Sequence, residues 1–266
     1  MRAIAPGRVN LIGDHTDYTG GLVFPMAINR HTVIDARFTE DPSISLKSAD
    51  EPDVANFSIP VRGISSLQPQ WARYIAAVAA ECKATRGIVG TVTTDIPIGS
   101  GLSSSAALEV ATALALGFDG SARELAQLTQ RAEHAATGVP TGIMDQLCIS
   151  LAEEHHAMLI DCSTLEVVHS PIPEECKIVV SFIARRTLQG SEYGDRVRQC
   201  NSAESIIGPL RSASIDMLEL IEDATISMRA RHVISENQRV RDFAQALASH
   251  DVLHAGRLMN EGHTSL

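Results

Sequence analysis

Residues 97–110 read PIGSGLSSSAALEV, two glycines around a serine, then a serine run that turns apolar. A strand is predicted to end at Ile96. Gly99 and Gly101 can take positive φ and let the backbone approach a ligand closely. Because a helix N-terminus carries unpaired N–H groups and partial positive charge, a helix opening at residues 103–105 favours a bound phosphate group. The alternative is an ordinary loop before a serine-capped helix.

This stretch contains no lysine and matches neither the Walker A pattern nor G-x-G-x-x-G. A bound phosphate would therefore need its charge neutralised by the helix dipole, a metal ion and a cation from elsewhere in the chain.

A second polar cluster lies in residues 7–18, GRVNLIGDHTDY, where Asp14, His15, Asp17 and Tyr18 follow a predicted strand. Carboxylates accept hydrogen bonds from neighbouring hydroxyls, and His and Tyr add polar contacts. The cluster suits a polyhydroxylated ligand, although Asp, Thr and Gly are also the residues of a polar surface turn.

A third cluster lies in residues 138–146, GVPTGIMDQ, with Asp145 at the start of a predicted helix. The carboxylate there either favours the helix dipole or orients a hydroxyl proton. Glu133, near the end of the preceding helix, reads by itself as a solvated helix residue.

The pattern of elements predicts an α+β fold, since strands and helices mix without strict alternation. Glycine-broken strands are expected before residue 40, with helices after Trp71, after Ser103 and after Ser121, which can act as an N-cap. Leu125, Leu128, Ala132 and Ala135 are predicted to share one helix face. Buried strands are expected at AMLIDC (157–162) and KIVVSF (177–182), and helices at GSEYGDRVRQCNSAESII (190–207) and residues 229–248. A polar, proline-containing stretch at 163–176 predicts a domain boundary.

Composition argues against several classes of function and partner. The 266 residues carry a net charge of −10 with only three lysines, which argues against nucleic-acid binding. Neither a signal peptide nor a membrane span is evident, so a cytoplasmic protein without a membrane partner is expected. The five scattered cysteines are typical of reduced thiols.

Taken together, the three motifs resemble the GHMP superfamily of small-molecule kinases and, within it, the galactokinase family. GIMDQ, AMLIDCSTLE and GSEYGDRVRQC match landmarks of that family in the right order. The resemblance implies a two-domain α+β kinase, with a ribosomal-S5-domain-2-like N-terminal domain (1–168) and a ferredoxin-like C-terminal domain (169–266). The second domain is expected to be incomplete, because the chain stops at GRLMNEGHTSL, where the family continues.

The resemblance also implies ATP-dependent phosphorylation of the C1 hydroxyl of galactose by a monomer. Asp145 would face that hydroxyl, with Arg8 beside it as the second catalytic residue. We expect Asp145 to orient the hydroxyl and take its proton late, since an adjacent arginine makes it a poor base. The sugar would contact Asp14, His15, Asp17 and Tyr193. The ATP phosphates would lie on Gly99, Ser100, Gly101, Leu102, Ser103, Ser104 and Ser105, and Mg²⁺ on Ser105 and Glu133.

Two alternatives remain at this point: a GHMP kinase for a different sugar, and a non-catalytic regulator that binds sugar or ATP. Three departures from the family pattern bear on them. The short C-terminus predicts an exposed apolar surface or an unpaired strand edge. VVSFIARRTL (179–188) lacks a serine-glycine pair, which bears on the loop that presents Tyr193. Asp14 stands where the family often has Glu.

Overall fold

The computed structural model describes residues 1–183 and 193–266. Its first layer is a five-stranded sheet, and the strands β1 (Arg2–Asn10), β3 (Pro25–Thr39), β6 (Gly87–Thr94), β4 (Ser43–Ser48) and β5 (Ala55–Ser58) lie in that order. The β4–β6 pair is parallel and the other pairs are antiparallel. The expected α+β class is therefore confirmed.

Four helices contribute to the apolar core of this sheet: α1 (Ala72–Glu81), α2 (Ser104–Ala115), α3 (Ala122–Thr137) and α4 (Met144–Leu151). Fully buried Ile34, Ile75 and Ile88 from strands and helix meet there. The predicted cap at Ser121 is confirmed: its hydroxyl accepts from the Glu124 N–H, and the Glu124 carboxylate accepts from the Ser121 N–H. This reciprocal capping box fixes where α3 begins.

A second sheet holds β2 (Leu22–Val23), β7 (His156–Asp161) and β8 (Glu166–Pro171), in that order and all antiparallel. Beside it lie α5 (Tyr193–Ile207), α6 (Ala224–Ala248) and α7 (Val252–Ser265). Helical spacing puts Val233, Val240, Phe243 and Leu247 on one side of α6, and all four are buried. Phe243 packs edge-on against Phe24, with 5.1 Å between the ring centroids.

The long helix α6 joins early and late parts of the chain, because one apolar cluster contains Leu11 and Phe24 together with Val240 and Phe243. The division of the chain at residue 168 stays a prediction. That residue lies inside β8, which pairs with β7 over six residues.

The prediction of a buried strand at residues 177–182 is wrong. The structure has no strand there, and the side chains of Val179 and Ile183 are 83% and 93% exposed. A β-branched run forms a strand only where a neighbouring strand offers hydrogen-bond partners, and none pairs with it among the described residues. These residues provide the exposed apolar surface that the sequence led us to expect, and β8 is an edge of its sheet.

Two further predictions need adjustment. On α3 the buried face continues through Ala136 instead of Ala135, and it includes Glu133, which is 4% exposed. The helix predicted from residue 190 is described from Tyr193 onward. Residues 190–192, and most of the loop whose missing serine-glycine pair was noted, lie outside the described residues.

Within the described parts of the chain, every helix is too short or too polar to cross a bilayer.

Candidate active site

The three polar motifs meet around one cavity of about 730 Å³. Its lining includes Arg8 from β1, the loop that follows β6, Glu133 from α3 and Asp145 from α4. The structure thus brings together every residue predicted for the site, namely Arg8, Asp14, His15, Asp17, Gly99, Ser100, Gly101, Leu102, Ser103, Ser104, Ser105, Glu133, Asp145 and Tyr193.

At the centre of the cavity, Arg8 is paired with Asp145. Arg8 Nε and Nη2 donate to Asp145 Oδ1 at 2.8 and 2.7 Å, and Nη1 donates to the Gly101 carbonyl at 2.6 Å. Burial alone would lower the pKa of Arg8, but the charge and hydrogen bond of Asp145 outweigh it and the pKa is raised. Arg8 is therefore a permanent cation that contacts both the Asp145 carboxylate and the loop of residues 99–105, called the phosphate loop after its predicted role.

A break in the register of β1 positions Arg8. The pairing of β1 with β3 shifts between Pro6 and Arg8, which is how a bulge re-aims a side chain. Gly7 lies at this shift, and a methyl group there would come within 2.8 Å of the Leu102 carbonyl oxygen. The Arg8 N–H donates to that same carbonyl at 3.2 Å. A glycine is thus required for the phosphate loop to pack on β1.

The phosphate loop has left-handed backbone at three alternate positions: Gly99, Gly101 and Ser103, with φ of 75°, 77° and 59°. Ser103 is the N-cap of α2, yet its side chain makes no capping hydrogen bond. Its hydroxyl donates instead to Asp145 Oδ2 at 2.5 Å. The N-terminal amides of α2 are therefore left without a side-chain cap, which is the arrangement that binds an oxyanion.

Behind the loop, Glu133 is held by three donors. Ser105 Oγ donates to Oε1 at 3.0 Å, while Thr141 Oγ1 and Gln146 Nε2 donate to Oε2 at 3.0 and 2.9 Å. Burial and the charge of Asp145 raise the pKa of Glu133. These hydrogen bonds explain why a carboxylate can lie on the buried face of α3.

A second carboxylate, Glu109 of α2, is completely buried beside this group. Gln146 Nε2 lies 3.5 Å from Glu109 Oε2, so one amide stands between two carboxylates. Burial, reinforced by the charge of Glu133, raises the pKa of Glu109 well above its ordinary value. Its protonated form is favoured, which removes one of two like charges in a small space.

Ser105 and Glu133 fit a magnesium ion. Adjacent ligands of an octahedral Mg²⁺ at about 2.1 Å lie roughly 3 Å apart, close to the separation of Ser105 Oγ and Glu133 Oε1. Among the described residues, no group of three His, Cys, Asp or Glu side chains is placed to hold a metal. Magnesium commonly needs only one or two carboxylates, with phosphate and water oxygens completing its shell.

Asp17 lines the end of the cavity that is predicted to face the sugar. Burial, together with the charge of Asp145, raises the pKa of Asp17 to about 7. Gly142 makes room for it, because a methyl group at position 142 would lie 2.0 Å from Asp17 Oδ2. Asp14 is exposed on the rim, where it accepts from Asn10 Nδ2 at 3.2 Å.

An aromatic group completes this end. The Tyr18 hydroxyl lies 3.2 Å from His15 Nδ1, and the Tyr193 ring lies 6.1 Å from the His15 ring and 5.4 Å from the Tyr18 ring. Burial raises the pKa of Tyr193. Its phenol therefore keeps its proton and remains a hydrogen-bond donor.

Several supporting residues were missed from the sequence. Thr141 and Gln146 lie in the same motif as Asp145, but their role depends on Glu133 being buried. Glu109 had a usable signal, since it is a lone carboxylate in the otherwise apolar run of α2. Such a residue is rarely buried without a partner.

Two family models match the parts of the chain that contain these motifs. Residues 1–38 match the galactokinase galactose-binding signature, and residues 72–153 match the N-terminal domain of GHMP kinases. The chain is 41% identical to the galactokinase of Chloroflexus aurantiacus in an alignment of 283 positions, which covers 99% of this chain and 72% of that protein. It is 40% identical to the Homo sapiens galactokinase, covering 98% and 72%.

Solved structures of related kinases superimpose on this chain. Lactococcus lactis galactokinase complexed with galactose superimposes with a TM-score of 0.87 at 30% identity, covering 100% of this chain and 74% of that one. Methanococcus jannaschii mevalonate kinase superimposes with a TM-score of 0.63 at 17% identity, covering 100% and 78%, and shares the fold.

Proposed function

The chain belongs to the galactokinase family, and from that premise we propose that it transfers the γ-phosphoryl group of ATP to the C1 hydroxyl of galactose. The products are galactose 1-phosphate and ADP. The observation that carries the proposal is the contact of Arg8 with both Asp145 and Gly101, because it joins the sugar end of the cavity to the phosphate loop.

The triphosphate of ATP occupies the loop of residues 99–105. Left-handed backbone at Gly99, Gly101 and Ser103 is the kind of conformation from which backbone anion sites are built. The uncapped N-terminus of α2 adds its dipole. Arg8 supplies the cation that the loop itself lacks.

Ser105 and Glu133 would hold a magnesium ion, which when bound would supply positive charge to the phosphates of ATP. The chain's own contribution is to keep the two oxygens about 3 Å apart. Thr141 and Gln146 anchor the other carboxylate oxygen of Glu133, so its first oxygen stays directed at Ser105.

Asp145 orients the attacking hydroxyl and accepts its proton at Oδ2. Both Arg8 donors contact Oδ1, so Oδ2 has Ser103 as its partner and retains a lone pair. Phosphoryl transfer passes through a loose transition state, in which positioning and charge neutralisation matter more than strong base catalysis. A carboxylate that takes the proton late meets this requirement.

The sugar hydroxyls contact Asp14, His15, Asp17 and Tyr193. Asp17 and Tyr193 lie inside the cavity and Asp14 lies at its rim. In this proposal, these acceptors and donors lie on one side of the hexose, and the C1 hydroxyl is directed at Asp145.

The test is a sugar panel with Mg-ATP. ADP release is measured with galactose, galactosamine, glucose and mannose, and phosphorus NMR locates the phosphate on the product. We expect galactose 1-phosphate, with the non-galacto sugars slower by orders of magnitude. A preference for another sugar would overturn the assigned substrate, and sugar binding without ADP release would overturn catalysis by this chain.

A further inference from the structure

One face of α6 carries three buried polar side chains beside its apolar stripe: His232, Glu236 and Asn237. All three bind the backbone of residues 13–22, the sugar-facing loop. The Gly13 N–H donates to Glu236 Oε1 at 2.9 Å, and the Leu22 N–H donates to Asn237 Oδ1 at 2.8 Å. The third contact joins His232 Nε2 and the Asp14 carbonyl at 2.8 Å.

The loop needs this support because of His15. Its φ is 64°, a left-handed conformation that is costly for a residue with a side chain. Such a residue persists only where its surroundings determine it. The peptide joining Asp14 to His15 is the one whose carbonyl His232 holds, so the contact fixes the backbone at the strained position.

The tautomer of His232 follows from its partners. A carbonyl can only accept, so Nε2 carries the hydrogen that is donated to Asp14. In the neutral ring, Nδ1 then accepts from Ser265 Oγ, 2.9 Å away on α7. A chain of two hydrogen bonds therefore runs from α7 through α6 to the sugar-facing loop.

Glu236 is fixed in a similar way. Arg239 Nε donates to its Oε2 at 2.7 Å, and Gly262 of α7 packs closely, since a methyl group there would lie 3.1 Å from that oxygen. At the other end of the contact, a methyl group at Gly13 would collide with the Leu22 carbonyl at 2.7 Å. The two elements are thus closely fitted around these polar contacts.

We propose, on the basis of the proposed function, that His232 is a positioning residue for galactose. It touches neither sugar nor phosphate. It holds the Asp14–His15 peptide so that both side chains face the hexose, and Glu236 and Asn237 fix the two ends of the loop. Loss of the His232 donor should therefore weaken sugar recognition selectively.

The kinetic test compares three variants. His232→Leu removes the donor, and His232→Gln keeps an N–H near the position of Nε2. Gln238→Ala, the control, changes an exposed residue of the same helix whose amide donates to Asp242. We expect His232→Leu to raise KM for galactose at least tenfold with KM for ATP unchanged. His232→Gln should restore most of the lost affinity, and Gln238→Ala should leave both KM values unchanged. Equal changes in both KM values, or the same change in Gln238→Ala, would overturn the proposal.

A second measurement does not depend on turnover. Hydrogen exchange at residues 13–22 of the unliganded protein should accelerate in His232→Leu and recover in His232→Gln. Should the leucine variant fail to fold, Ser265→Ala, which removes only the Nδ1 partner, should accelerate exchange at the same residues to a smaller degree. Unchanged exchange in the folded variants would overturn the positioning role. Failure of the wild type to phosphorylate galactose would overturn the proposed function and leave the exchange result to decide on His232.

Discussion

Arg8 and Asp145 lie 137 residues apart in the chain, and two nitrogens of the guanidinium donate to the same carboxylate oxygen. The two oxygens of the Asp145 carboxylate therefore have different partners. Oδ1 accepts from Arg8, and Oδ2 accepts from Ser103. In the proposed reaction, Oδ2 is therefore the oxygen that faces the sugar hydroxyl, and the ion pair fixes its direction.

Replacing Asp145 with Asn should lower kcat by roughly 10²- to 10⁴-fold, the range of general acid–base contributions. KM for ATP should remain nearly the same, because the phosphate loop keeps its backbone and its helix. Steady-state kinetics would measure both constants. The matched control is Asp119→Asn, an exposed carboxylate outside the cavity. Turnover comparable to wild type would remove Asp145 from the chemistry.

Replacing Glu133 with Gln should raise the Mg²⁺ concentration needed for half-maximal activity, on the order of tenfold or more, since even supporting residues of metal sites have effects of this size. The amide keeps the size of the side chain and loses its charge. Magnesium titrations at fixed ATP would measure the change. Glu124→Gln on the same helix is the control, because glutamine also serves in a capping box. An unchanged magnesium requirement would contradict the assignment.

Replacing Asp17 with Asn should stabilise the free protein in a pH-dependent way. The pKa of Asp17 is raised from 3.8 to about 7, so between these values the native state binds more protons than the unfolded state. Stability due to this group is therefore full below about pH 4 and is lost as the pH rises through 7. The gain in Tm of the variant over wild type should grow from pH 4 to 7 and then level off. It should correspond to about 1 kcal/mol or more, or a few degrees.

A difference in Tm that is independent of pH would contradict the raised pKa. The same variant should bind galactose more weakly, because it loses an anionic acceptor. Stability gained at the expense of function is common where a site strains the fold.

Replacing Gly142 with Ala should raise KM for galactose at least several-fold. The new methyl group would overlap Asp17 Oδ2, Cγ and Cβ at 2.0, 2.3 and 2.7 Å, so the whole side chain would have to move. KM for ATP should not change, as the contact lies at the sugar end. Gly256→Ala on α7, with open space around its position, is the control and should stabilise the helix by about 0.5–1 kcal/mol. An unaltered sugar KM would indicate that Asp17 does not contact the sugar.

Local signals allowed much of this architecture to be predicted. Glycine spacing predicted the positive φ at Gly99 and Gly101, helical periodicity located α3 and α6, and Ser121 marked a helix start. What failed depends on partners distant in sequence. Glu133 is buried because Ser105, Thr141 and Gln146 converge on it, and periodicity alone assigns a carboxylate to solvent. Residues 177–182 have the composition of a strand, but strand formation requires a neighbour.

The support for the sugar-facing loop was missed for a similar reason. Helical spacing identifies the apolar stripe of α6, but it gives no sign that the polar residues beside the stripe are buried. Their burial becomes evident only when the loop containing Gly13 and Leu22 lies against the helix, more than 200 residues away in sequence.

The neighbouring helices α2 and α3 have different N-terminal caps, and this difference links the melting temperature of the protein to nucleotide binding. Helix α3 starts with a complete capping box, whereas the serine at the start of α2 gives its hydroxyl to Asp145. A missing cap costs a helix about 0.5–2 kcal/mol. In the proposed complex a phosphate oxygen of ATP takes the place of the missing cap, so the melting temperature should rise with the fraction of protein that has nucleotide bound.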